Sequence, residues 1–85
     1  MSVHEQKYII AFLDDEDGWL RFDDQSTNLC ESLDDAYDKA AAKIEAEFKA
    51  QRVMCDRSRK TDNVLIAGGV EYKVFLADDP SVPAA

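Results

Sequence analysis

Apolar residues recur along this chain with two different periods, and the change of period marks its elements. Leu33, Tyr37, Ala40, Ala41, Ile44 and Phe48 follow one another at steps of three and four, the spacing of one face of an α-helix. The pattern predicts a helix over residues 32–50. Ser32 stands where an N-cap hydroxyl can take up a free backbone amide, and Asp34 and Asp35 sit where carboxylates meet the positive end of the helix dipole. Asp35 with Lys39 and Glu45 with Lys49 are favourable i,i+4 pairs.

Elsewhere the apolar residues form short runs, and over residues 70–77 they alternate with period two. Residues 7–13, KYIIAFL, are apolar on both sides, which predicts a central strand or one covered on its second face. Residues 14–18, DDEDG, form the turn of a hairpin, with Gly18 free to take positive φ. Residues 19–22 return as a second strand. A loop over 23–31 leads into the helix and has room for a short edge strand around 27–30. Beyond the helix, residues 52–58 either continue its period as far as Cys55 or form a short alternating strand. Residues 64–67, the Gly68-Gly69 turn and residues 70–77 make a second hairpin.

The expected architecture is therefore α+β: one domain over 1–78, β-hairpin–helix–β-hairpin, with an antiparallel sheet of about four strands and the helix packed on one face. Residues 79–85, with Pro80 and Pro83, read as a flexible C-terminal tail. The aromatics Tyr8, Trp19, Phe22 and Phe75 either join the core or form a patch on the other sheet face.

Composition changes the picture mainly through charge. The 85 residues carry a net −8, unevenly placed: residues 1–48 hold −9, residues 49–63 hold +3 and residues 64–85 hold −2. Such a front half repels nucleic acid and membrane surfaces and attracts basic partners from beyond contact distance. No apolar run is long enough to span a membrane, and the N-terminus lacks a signal-peptide layout. Cys30 and Cys55 are too few for a disulfide scaffold and read as reduced thiols in a cytoplasmic protein.

Catalytic constellations are hard to build from these residues. His4 is the one histidine, the cysteines lack CxxC spacing, and Gly68-Gly69 lacks a phosphate-cradling pattern. Residues 13–24 fit a calcium loop poorly, with Leu13 at its first position. The expectation is a non-enzyme without metal or cofactor. Arg52, Arg57, Arg59 and Lys60 read as a solvated helix end and loop, or alternatively as a phosphate contact. The candidate contact residues are Asp14, Asp15, Glu16 and Asp17 in the turn and Asp34, Asp35 and Asp38 on the helix, with Asp23, Asp24 and Glu31 between them. If turn and helix start lie at one end of the fold, these acids form a single negative surface.

Two resemblances bear on the partner. Gly18, Trp19, Phe22, Ser32, Leu33, Asp34, Asp35 and Ala36, within residues 8–48, resemble the N-terminal part of HicB-type antitoxins. There a strand, an acidic turn, an aromatic strand and a Ser/Thr-Leu-acid-acid-Ala helix follow in order, and the implied role is neutralisation of a small ribonuclease toxin. In size, charge and layout the chain is also similar to small acidic phage anti-CRISPR proteins. That likeness implies a nucleic-acid mimic, an inhibitor working by protein–protein interaction with a basic CRISPR effector complex or other nuclease, without touching nucleic acid itself. A structural module that dimerises through an open sheet face is the third expectation; either a monomer or a homodimer fits.

Overall fold

The computed structural model describes residues 5–22 and 28–83. Among these residues five strands and one α-helix follow in the order β1 (Gln6–Asp14), β2 (Gly18–Arg21), β3 (Leu29–Cys30), α1 (Leu33–Glu47), β4 (Val64–Ala67) and β5 (Val70–Leu76). The sheet is antiparallel, ordered β2-β1-β5-β4, with β3 pairing the start of β1. The architecture is the α+β single domain expected, with a two-residue fifth strand at the possible edge position.

β1 is the spine because both of its edges are used. On one edge, the Ile10 carbonyl accepts from Phe22 at 2.9 Å and the Tyr8 amide donates to Asn28 at 3.1 Å. On the other, residues 8–12 pair with residues 76–72 of β5, and the Lys7 carbonyl accepts from Ala77. Alternation then divides the side chains. Tyr8, Ile10 and Phe12 turn to the helix side together with Tyr72 and Val74. There they meet Ala36, Tyr37, Ala40, Ala41 and Ile44, the buried stripe of α1. Phe22 and Tyr72 stack edge-on, their ring centroids 5.4 Å apart. Three alanines in the stripe leave room for the large strand side chains, while Tyr37 and Ile44 of α1 fill the spaces between them.

α1 begins as its sequence dictates. The Ser32 hydroxyl accepts from the Asp35 amide at 3.1 Å, and Asp35 in return accepts from the Glu31 amide at 2.9 Å. Its end differs from expectation: the helix stops at Glu47, a 3₁₀ turn covers Lys49–Gln51, and Arg52 takes left-handed backbone with φ 55°. That reversal keeps Cys55 from continuing the helix. Nor do residues 53–57 form a full strand, since one bridge joins Asp56 to Ile66. The Glu45 carboxylate, accepting from the Cys55 amide at 3.1 Å, holds the returning chain against α1.

The second face of the sheet is covered over its middle, while Leu13 at its end is exposed. Ile9, Ala11 and Phe75 lie on it and are all buried. Residues 79–83 are turned back by bonds from the Ser81 and Val82 amides to Asp79, and the Pro83 carbonyl accepts from Arg21 Nε at 2.9 Å. The stretch read as a tail thus makes a long-range bond to the sheet.

Candidate protein-binding surface

The two groups of acids singled out from sequence stand at opposite ends of β1. Asp14 to Asp17 cap its C-terminal end, where Asp14 pairs with Gly18. Asp34, Asp35 and Asp38 follow β3, which pairs with Gln6 and Lys7 at the N-terminal end. The nine residues of β1, eight steps of about 3.3 Å, set the two ends about 26 Å apart. The condition for a single negative surface is therefore not met. A hairpin carries its tip away from the end where the chain re-enters to start the helix, so the topology itself forces the separation. Asp23, Asp24 and His4 lie outside the described residues.

At the tip the Asp14 carboxylate turns inward, accepting from the Glu16 amide at 3.1 Å and the Asp17 amide at 2.9 Å. This fixes the turn, and Gly18 closes it at φ 75°. Asp15, Glu16 and Asp17 are exposed. Among the described residues no cation pairs with them. The flanks are strands and one carboxylate is committed to the backbone. No cluster of His, Cys, Asp or Glu suited to a metal ion occurs among the described residues.

The helix start is arranged differently. The basic loop after Cys55 folds back over it: Lys60 Nζ lies 2.8 Å from Asp34 and 3.8 Å from Asp38, and Arg57 lies 3.2 Å from Asp38. Asp35 is bridged by Lys39 at 3.1 Å. The Glu31 amide, with help from Lys39, holds the Asp35 carboxyl below its ordinary value. Lys60 and Lys39 are raised, chiefly by their bonds to Asp34 and Asp35. Lys60 also sits 5.5 Å from the centre of the Tyr37 ring, and the Tyr37 hydroxyl donates to the Val64 carbonyl at 2.9 Å. Arg59 pairs with Glu71 and, at 3.7 Å, with Asp62. The basic stretch is therefore a clasp that ties β4 and its loop to α1. The sequence carried one sign of it, a cationic loop following an acidic helix, but not the path that brings the two together.

Both cysteines are free thiols. Burial raises Cys30, with nearby Asp35 adding to the effect, and burial followed by Glu45 raises Cys55. A raised thiol is a poor nucleophile at neutral pH. Among the described residues no helix is long and apolar enough to cross a membrane.

What the fold and this surface define is a small α+β domain with one self-neutralised acidic region and one acidic turn left to solvent. Comparison with protein families, curated proteins and solved structures gives no match at any of the three levels.

Proposed function

We propose that this chain is a non-enzymatic cytoplasmic inhibitor that occupies the basic, nucleic-acid-binding surface of an effector, in the manner of phage anti-CRISPR proteins, with the β1–β2 turn as its leading contact. The observation that carries the reading is the division of charge. Asp34 and Asp38 are neutralised by Lys60 and Arg57, whereas Asp15, Glu16 and Asp17 project without a cation among the described residues. Carboxylates on a narrow turn can enter a groove shaped for phosphates and meet Arg and Lys there. A net charge of −8 draws such a groove in from a distance. The contact set thereby narrows from seven acids to the four of the turn, Asp14 serving as its internal brace.

A second reading is favoured by the order of elements. Strand, acidic turn, second strand and Ser32-capped helix follow over residues 6–47, in the order that the HicB resemblance implies. On that reading the partner is a small basic ribonuclease toxin.

The test is capture of effectors from bacterial lysates expressing CRISPR complexes, nucleases or such toxins, followed by competition with the effector's own nucleic acid. Competition that is lost on Asp15→Lys with Asp17→Lys supports groove occupancy. An effector that is captured yet binds its nucleic acid at full affinity rejects it, and capture of a toxin alone selects the second reading.

A further inference from the structure

The outer face of the sheet, away from α1, carries Ile9, Ala11 and Phe75 at 5%, 0% and 3% exposure. An apolar face of this kind needs a cover, and the route of the C-terminal segment identifies one. The Ala77 amide donates to the Lys7 carbonyl at 2.9 Å, so the segment leaves from the β5 side of β1. Six residues later the Pro83 carbonyl accepts from Arg21 Nε on β2. Arg21 stands opposite Ala11 in the register, which puts its side chain on the outer face, and β1 lies between β5 and β2. Residues 78–83 therefore turn back over that face towards β2.

This cover differs in kind from the helix on the other side. Residues 77–81 are exposed and Val82 and Pro83 only half-buried. Pro80 and Pro83 have no N–H, so the segment cannot be zipped on as another strand. Its internal bonds are those of local turns centred on Asp79, at 2.8 and 3.1 Å. Asp79 and Ser81 also line, together with Trp19, Phe75 and the loop residues Arg59 and Asp62, an open cavity of about 580 Å³. Segments with little buried apolar contact open at lower free energy than the core they cover.

We propose that residues 78–83 form a strap that opens as a unit before the sheet unfolds, with the Arg21–Pro83 hydrogen bond as its latch, and that opening uncovers the apolar face around Trp19. Trp19 is the one tryptophan of the chain, so it reports the strap without a label. The experiment is acrylamide quenching of Trp19 fluorescence in the full chain along a urea series, with far-UV circular dichroism followed in parallel. Quenching should rise at urea concentrations below the dichroism transition. Arg21→Met keeps the apolar stem and loses the donor; in native buffer it should raise the quenching constant about twofold while the melting midpoint stays within a few degrees. Coincident quenching and dichroism transitions in the unsubstituted chain would overturn the strap, whether or not the variant folds. An early quenching transition that Arg21→Met leaves unmoved, with native quenching also unchanged, would overturn Arg21 as its latch.

Discussion

The β1–β2 turn and the start of α1 are made of the same material, runs of aspartate with a glutamate nearby, and the fold uses them oppositely. At the helix start, three carboxylates are drawn into the structure: Asp35 accepts from the Glu31 amide and Lys39, Asp34 from Lys60, and Asp38 from Arg57. At the turn only Asp14 is so used, and by amides two and three residues away. Negative charge in a sequence is thus no measure of negative surface. What matters is whether a cationic segment returns to the same place, and here residues 57–60 return to one of the two.

The sharpest way to break the comparison is to reverse each region in turn. Asp15→Lys with Asp17→Lys should lower the association rate with the effector by roughly 10- to 1000-fold at low salt, a gap that closes as salt is added. The melting midpoint should stay within a few degrees, because neither carboxylate holds anything. Surface plasmon resonance at two ionic strengths with a melting curve checks both halves. Asp34→Lys with Asp38→Lys should do the reverse. It places lysines against Lys60 and Arg57 and at the positive end of the helix dipole, lowering the melting midpoint by about 10 °C with a smaller effect on association. Equal losses of binding in the two double variants would show that the clasp does not set the regions apart.

A subtler contrast concerns the caps. Ser32→Ala removes the acceptor for the Asp35 amide and should cost about 1 kcal/mol in urea unfolding. Asp14→Ala frees two turn amides that water can reach, and its cost should be smaller, at about 0.5 kcal/mol.

The smallest effect is on pH dependence, and its sign follows from the paired groups. Asp35 and Asp56 are held below their ordinary 3.8, each chiefly by a backbone amide. Their stabilisation is present above that value and is lost as pH falls through the lower folded value. Lys39 and Lys60 are raised above 10.5 by Asp35 and Asp34, so their contribution holds below 10.5 and is lost as pH rises through the higher folded value. Burial raises Cys30 and Cys55 from 9.0, which starts the alkaline decline near that pH. Urea midpoints should be level from about pH 5 to 8.5 and fall on both sides. Lys60→Met should soften the decline above 10.5 and leave the acid limb unchanged.

The sequence by itself determined the elements whose causes are local. The three-and-four spacing from Leu33 to Phe48 and the Ser32 cap made α1 legible. The apolar run of residues 7–13 and the alternation in residues 70–76, with glycines at the turns, made the two hairpins legible. The apolar residues on both sides of β1 even required a second cover without saying what it was. Tertiary structure decided whatever depends on where the chain goes after a reversal. The left-handed turn at Arg52 ended the period that pointed on to Cys55. The return of residues 57–60 neutralised one acidic region, and the turn after β5 brought Pro83 back to Arg21 on β2. Period, propensity and capping act between residues a few positions apart, so they are written along the chain. Pairing between Lys60 and Asp34, or between Arg21 and Pro83, joins residues 26 and 62 positions apart, and only the folded domain brings them within reach.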